Sequence, residues 1–445
     1  MLTDTIVAVA TPNGRGGVGI VRLSGPKAMQ VASKVVRVEL SKSRITSYTD
    51  FFDSKGNKID TGLVVFFKAP NSYTGENVIE MHMHGNPIIL GEMVRACCEL
   101  DARLARPGEF TERAFRAGKI NLLQAEAVAD LIAAQSVKAV RSAQNTLEGH
   151  FGNVVEKLIL QTQEIRYQLE AAIDFSDDVD SPDFIPHMFG LHKKLLEGLN
   201  SLLASATQGA KLSEGFKLVI AGPPNAGKSM LLNRLVQSER AIVSSEAGTT
   251  RDAINVECRL RDIPVQIIDT AGLREDVESS IEKEGIKRTY AAIEKADLVI
   301  YLKDVTSTVP AGRDYQSNLV THAKILTVYN KLDKLPETNK LEKNSGIYIS
   351  ALSGAGVASL EDAIIEIFIA SNNENVEFSA RERHLIALKK AINAIDAIED
   401  VSFGASPELV AEDYREATGA LQEIGGEYST EDLLGDIFSK FCIGK

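Results

Sequence analysis

Gly222-Pro223-Pro224-Asn225-Ala226-Gly227-Lys228-Ser229 decides how this chain is read. The octet has the form G-x4-G-K-S. It follows the apolar run Leu218-Val219-Ile220-Ala221 and precedes the helical Met230-Leu231-Leu232-Asn233. A strand, a glycine loop and a helix in that order wrap phosphate oxygens in backbone N–H groups at the positive end of the helix. Lys228 then reaches the β and γ oxygens, and the Ser229 hydroxyl ligates Mg2+. Asn225, Ala226, Gly227 and Met230 complete the stretch expected against the nucleotide.

Three more elements follow in chain order. Ala247-Gly248-Thr249-Thr250-Arg251-Asp252, preceded by Ser244-Ser245-Glu246, offers Thr250 as a second Mg2+ ligand. Asp269-Thr270-Ala271-Gly272 ends an apolar strand. There Asp269 would hold Mg2+ through water, and the Gly272 N–H would meet the γ-phosphate. Asn330-Lys331-Leu332-Asp333 also follows a strand. Asp333 can accept from both N1–H and N2–H of guanine, a donor pair adenine does not present. Ser350-Ala351-Leu352 would close over the base. The expected nucleotide is GTP, not ATP. Leu273 follows Gly272, where Ras-type enzymes place the glutamine that orients the attacking water. Leucine can neither orient nor deprotonate water. Hydrolysis then needs another source, or the protein is only a binding switch.

Outward from the loop, residues 215–370 alternate short apolar strands with helical stretches: Lys217–Ala221, Val265–Asp269, Leu298–Leu302, Ile325–Tyr329 and Ile347–Ser350. That alternation predicts a parallel sheet with covering helices. Helical periodicity surrounds it. Leu122, Ala125, Ala129 and Ile132 recur at three and four, as do Val154, Leu158, Ile165, Leu169 and Ile173, and later Leu385, Leu388, Ile392 and Ile395. The acidic stretch Asp174–Asp183 reads as a solvated loop between helices. Residues 1–118 are mixed, with strand-like Ile6–Ala10, Ile20–Leu23 and Gly62–Phe67. Gly14-Arg15-Gly16-Gly17-Val18-Gly19 is formally GxGxxG, but a strand follows it, where a dinucleotide site needs a helix. A glycine turn is expected there.

The expected architecture is therefore multidomain, α/β plus α. An N-terminal α/β domain (1–118) precedes a discontinuous helical domain (119–213 and 373–445), into which a Ras-like P-loop G domain (214–372) is inserted.

The bulk numbers exclude several classes. At 445 residues, 44% hydrophobic and 25% charged, the chain can build several cores. No apolar run approaches the ~18 residues of a membrane span, and no targeting segment is evident, so a cytoplasmic protein is expected. Cys97, Cys98, Cys258 and Cys442 form no metal or disulfide pattern. Cys97 and Cys98 read as core helix residues. A formal charge of −12 opposes sequence-blind nucleic-acid binding. The basic stretches Arg103–Lys119 and Arg381–Lys390 keep one alternative open, a GTP-switched RNA-binding or ribosome-assembly factor without modification chemistry.

The whole chain resembles the MnmE/TrmE family of tRNA modification GTPases. The resemblance rests on Asp4-Thr5-Ile6-Val7-Ala8, the Gly14–Gly19 run and Pro70-Asn71-Ser72-Tyr73-Thr74-Gly75-Glu76. It extends through Ala105-Arg106-Pro107-Gly108-Glu109-Phe110, Ala171-Ala172-Ile173-Asp174-Phe175 and Phe441-Cys442-Ile443-Gly444-Lys445. It implies addition of an aminomethyl-type group at C5 of the wobble uridine of certain tRNAs. The implied partner is a flavoprotein of the MnmG/GidA family, bound by a homodimer to make a heterotetramer. It implies an N-terminal tetrahydrofolate-binding-like, dimerising domain, with 5-formyltetrahydrofolate or methylenetetrahydrofolate held at Arg22, Glu80, Lys119 and Lys445. It implies K+ at Asn225, Ser244, Glu246 and Thr249, which would take over the missing charge stabilisation. Glu282 matches the family's water-activating glutamate, with Glu278 and Glu284 as alternatives, and Cys442 matches a family motif with a catalytic role.

Overall fold

The computed structural model describes residues 4–134, 136–174, 183–238, 255–260, 263–269, 292–294, 296–306, 323–334, 346–370, 378–426, 431–439 and 441–444. Its described helices are α1 (Ala28–Val35), α2 (Pro87–Cys98), α3 (Glu109–Arg116), α4 (Leu122–Ala133), α5 (Val137–Leu147), α6 (His150–Asp174), α7 (Phe184–Glu214), α8 (Lys228–Ser238), α9 (Val357–Ala370), α10 (Glu382–Ile395), α11 (Ser402–Ala405), α12 (Pro407–Gly425) and α13 (Glu431–Ser439). The chain divides into two compact units. One comprises Met1–Ala129, Thr146–His192 and Asn393–Lys445; the other comprises Asp130–Asn145 and Lys193–Ile392.

The first unit is built on strands β1 (Thr5–Val9), β2 (Gly16–Ser24), β3 (Thr46–Phe52), β4 (Lys58–Phe67), β5 (Val78–Gly85) and β6 (Ala102–Leu104). Their order is β3-β4-β5-β2-β1-β6. Pairing is antiparallel except between β1 and β6. Side chains alternate across a strand. Val21, Leu23, Ile79 and Met81 thus join one buried cluster with residues of α1 and α2. Their neighbours Arg22 and Glu80 fall on the opposite face and sit directly across from each other in the ladder. The glycine run differs from the expected turn, because β2 already begins at Gly16. A Cβ on Gly85 would lie 2.6 Å from the Gly16 carbonyl, and one on Gly19 would strike Leu90. Close strand and helix approach, rather than a reversal alone, is what the glycines permit there.

In the helical part of this unit α6 packs along α12. The buried stripe of α6 is Phe151, Val155, Leu158, Thr162, Ile165 and Leu169. Leu158, Ile165 and Leu169 are buried as expected, but Val155 takes the place of Val154, which is 39% exposed; on α4, Ile132 is 50% exposed. His192 and Tyr414, both buried, share a 2.8 Å hydrogen bond. α13 and Phe441 pack against Leu122 and Ala125.

The second unit holds strands β7 (Phe216–Ala221), β8 (Asn255–Leu260), β9 (Ile263–Asp269), β10 (Leu298–Asp304), β11 (Lys324–Asn330) and β12 (Ile347–Tyr348), ordered β12-β11-β10-β7-β9-β8. All neighbours are parallel except β8 and β9. The sequence reading did not include β8, whose charged Glu257 and Arg259 interrupt its apolar pattern. Helices α8 and α9 bury Leu231, Leu235, Leu360 and Ile364 against one face, while Val219, Val299 and Ile293 form a cluster on the other. The chain runs from β7 to one side and then to the other. The carboxyl end of β7 is thus the switch point at which a doubly wound sheet opens a crevice.

Candidate nucleotide site and a second polar site

The phosphate loop leaves β7 at that switch point. Gly222 (φ 150°) passes so close to β10 that a Cβ would lie 2.4 Å from the Leu302 carbonyl. Asn225 adopts φ 62° and is exposed, a left-handed conformation that asparagine tolerates better than most residues. Gly227 (φ 98°) faces Asn330, whose Nδ2 would be 2.4 Å from a Cβ. Lys228 is buried and donates from Nζ to the carbonyls of Gly222 and Pro223, each at 3.1 Å. Ser229 and Met230 are exposed on the first turn of α8, and Ala226 is buried. The structure thus shapes a nest of backbone around a lysine head, the arrangement that accepts phosphate oxygens.

Register brings the other motifs to the same edge of the sheet. Asp269 ends β9 opposite Ile220, Tyr301 pairs with Ala221, and Asp304 pairs with Asn330. Asn330 braces two loops: its Nδ2 donates to the Ala226 carbonyl at 2.8 Å, and its Oδ1 accepts from the Ala351 N–H at 2.9 Å. Lys331 (φ 70°) bonds Asp304 at 2.6 Å. Burial works to raise the Asp304 carboxyl, but Lys331 and the Thr306 donors outweigh it and hold it below its usual range. Asp333 is exposed and accepts from the Ser350 hydroxyl at 2.5 Å. Ser350 and Ala351 are buried and Leu352 is 63% exposed. Arg234 of α8 donates to the carbonyls of Ala351 and Leu352. Neither Arg234 nor Asp304 was singled out from sequence. Asp304 carried a weak signal as an acid at the carboxyl end of a strand; Arg234 carried none. The predicted Ser244, Ser245, Glu246, Ala247, Gly248, Thr249, Thr250, Thr270, Ala271, Gly272, Leu273, Glu282 and Lys445 lie outside the described residues.

A second polar site lies in the first unit. Arg22 Nε bonds Glu80 at 2.9 Å, and another of its nitrogens reaches the Gly444 carbonyl at 3.3 Å. The guanidinium stands 5.6 Å from the Phe110 ring centre and 5.9 Å from that of Tyr73. The second Glu80 oxygen is 3.5 Å from His82 Nε2, a buried nitrogen that makes no hydrogen bond. The chain end is locked in place: Ile443 bridges Pro107, and a Cβ on Gly444 (φ 96°) would collide with the Val9 carbonyl. Lys119 is exposed and donates to the Pro70 carbonyl at 3.0 Å, on the same loop as Tyr73. Arg22, Glu80, Tyr73, Phe110 and Gly444 are therefore brought together, while Lys119 joins them only through that loop. Cys442 is exposed; of the adjacent pair, Cys97 is buried, with its thiol pushed up to about 12 by burial, whereas Cys98 is exposed and not core as expected.

The basic stretch Arg103–Lys119 is largely neutralised within the fold. Arg113, with 1% of its side chain exposed, bonds Asp4, Glu76 and Glu109. Arg103 bonds Asp4 and Glu109, Arg106 bonds Glu109 and Glu112, and Arg116 bonds Glu112 and Glu431. Full burial of Glu109 disfavours its charge, but Arg103, the Arg106 N–H and Arg113 overcome this and lower its carboxyl to about 2. In the second unit, Arg381 bonds Asp130 at 2.7 Å. Among the described residues, no group of three or more His, Cys, Asp or Glu could hold a metal, and no helix is long and apolar enough to cross a membrane.

A phosphate nest at the switch point, with an aspartate and a Ser-Ala-Leu turn at the neighbouring strand ends, defines the class: a P-loop GTP-binding protein with further α/β and helical parts. Comparisons with known proteins narrow it. Residues 122–442 match the family described as MnmE helical domain, and residues 5–119 match GTP-binding protein TrmE N-terminus. The chain is 44% identical over 457 residues to the tRNA modification GTPase MnmE of Shewanella woodyi, covering 100% of both chains. It is 42% identical over 450 residues to that of Hydrogenovibrio crunogenus, covering 99% of both. Among solved structures, a single-residue variant of Aquifex aeolicus Era bound to GDP and AlF4- is 25% identical with a TM-score of 0.30, covering 41% of this chain and 67% of that one. The chain belongs to the MnmE family of tRNA modification GTPases, and it is a GTPase.

Proposed function

We propose that the chain is a K+-stimulated GTP hydrolase acting on tRNA. With a flavin-dependent partner of the MnmG/GidA family it installs an aminomethyl-type group at C5 of the wobble uridine, drawing the carbon from a tetrahydrofolate donor. The observation that carries this reading is the coexistence of two sites: the Lys228 nest, and the Arg22–Glu80 pair with Tyr73 and Phe110 beside the guanidinium.

At the first site Lys228 exchanges neutral carbonyl acceptors for the β and γ oxygens, a stronger charge-assisted bond. Ser229, exposed on the first turn of α8, fits a Mg2+ ligand, with Thr250 as its proposed partner. Asn225, exposed and left-handed at φ 62°, is proposed to offer its amide oxygen to K+, with Ser244, Glu246 and Thr249 completing that site. A cation there supplies charge to offset that developing on the phosphates. Glu282 is proposed to orient water in place of the position held by Leu273. Asp333 and Ser350–Leu352 hold the base.

At the second site the residues fit a folate. Tyr73, 37% exposed, offers a ring face for a flat heterocycle, and the buried Phe110 backs Arg22. Glu80 keeps an oxygen with no strong partner for pterin N–H donors, and Arg22 suits a carbonyl or carboxylate. Lys119, Lys445 and Cys442 are assigned to its rim. The domain reading follows: 1–118 for folate binding and dimerisation, 119–213 with 373–445 as the helical domain, and 214–372 as the G domain, in a cytoplasmic homodimer.

Three measurements test this. Equal GTP turnover in KCl and NaCl would remove K+. Failure of 5-formyltetrahydrofolate to bind the full-length protein would remove the second site. Intact wobble uridines in tRNA from a deletion strain would favour the RNA-binding or ribosome-assembly alternative, which has lost much of its support now that Arg103, Arg106, Arg113 and Arg116 are paired internally.

A further inference from the structure

Arg234 lies on α8 downstream of Lys228 and belongs to none of the motifs above. Its Nε donates to the Ala351 carbonyl at 3.2 Å, and a terminal nitrogen donates to the Leu352 carbonyl. The guanidinium packs over Gly354, where the positive φ of 87° favours glycine and a Cβ would make only an ordinary 3.7 Å contact with it. In a trans peptide the carbonyl and the following N–H point in opposite directions. Holding the Ala351 carbonyl toward α8 therefore turns the Leu352 N–H away from α8. The N–H groups on either side are occupied. That of Ala351 bonds Asn330, and that of Ser353 bonds the Ser350 hydroxyl. The Leu352 N–H has no hydrogen-bond partner among the described residues. A purine with a carbonyl at C6 can accept from this donor, whereas one with an amino group there cannot.

We propose that Arg234 is a positioning residue for base recognition: anchored on two carbonyls, it aims the Leu352 N–H at the C6 oxygen of the nucleotide. This rests on the reading of Asp333 and Ser350–Leu352 as the base site.

The test compares full-length wild type, R234A and R234K for equilibrium binding of GTP and ITP and for turnover. ITP keeps the C6 oxygen but lacks the 2-amino group that Asp333 reads. R234A is expected to weaken both nucleotides by the same factor of about 3 to 10, the loss of roughly one hydrogen bond. The GTP:ITP ratio and kcat at saturating GTP stay unchanged. R234K recovers part of the affinity, since an ammonium can hold one carbonyl. Should R234A not fold, R234K carries the same comparison with a smaller effect. Unchanged affinity, a changed GTP:ITP ratio, or a fall in kcat without a fall in affinity overturns the proposal. Asp333→Asn checks the underlying reading separately. It should move preference from GTP toward XTP, whose C2 oxygen accepts the new amide N–H. If it does not, the base site is elsewhere and the role of Arg234 falls with it.

Discussion

Single side chains carry the chemistry of both sites, and their partners set what substitutions will do. Lys228 faces two carbonyls at 3.1 Å in a buried nest. Lys228→Ala should lower GTP affinity on the order of 100-fold, the loss of about two bonds to a charged ligand, as read by equilibrium binding. Arg22 serves two acceptors with different nitrogens, Glu80 and the Gly444 carbonyl. Lysine cannot fork in that way. Arg22→Lys should therefore fail to sustain 5-formyltetrahydrofolate binding in calorimetry while leaving the far-ultraviolet circular dichroism unchanged. Of these contacts, the motif glycines, Lys228 and Asp333 were legible in sequence because phosphate and guanine chemistry restricts residue type and spacing. The Arg22–Glu80 pairing was not. The two lie 58 positions apart, and only the β2–β5 register makes them neighbours.

At the scale of elements, function depends on braces between loops. Asn330 ties the phosphate loop to the Ser350–Leu352 turn. Asn330→Ala should strip both buried partners, costing about 1–3 kcal/mol for each group left unpaired, and GTP affinity should fall together with the thermal midpoint of the second unit. The α3 helix is held by a different device. Arg113 is buried against three carboxylates. Arg113→Ala removes one of several partners of the buried Glu109, which keeps Arg103 and the Arg106 N–H, and should destabilise the first unit by about 1–3 kcal/mol in denaturant titration. The helices were predicted from periodicity, and Leu158, Ile165 and Leu169 of α6 are buried as expected, but at its start Val155 is buried in place of Val154, on the face that α12 covers.

For the molecule as a whole, the ion-pair network makes a prediction about pH. The Glu109 carboxyl is lowered to about 2 from an ordinary 4.5. A depressed carboxylate contributes stability that is fully present above 4.5 and is lost as pH falls from there toward 2. The shift corresponds to roughly 3 kcal/mol. The thermal midpoint of the first unit should therefore drop steeply across that window, and Glu109→Gln should start lower and show a shallower pH dependence. Asp4 and Glu431 are held low as well and add to the same slope, while Asp304 acts in the same direction in the second unit.

Local stretches of the chain were enough to settle the class of protein. Gly222–Ser229, Asp269, Asn330–Asp333 and Ser350–Leu352 each read locally, since a phosphate loop or a base-reading aspartate works through residues close in the chain. The alternation of apolar strands with helices likewise announced a parallel sheet. Folding in three dimensions settled the rest. It turned a basic stretch into a neutralised network, paired Arg22 with Glu80 and the chain end, and placed Arg234 against two carbonyls far along the sequence. These depend on strand register and on which faces the helices bury, properties of long-range contact that no local window of residues encodes.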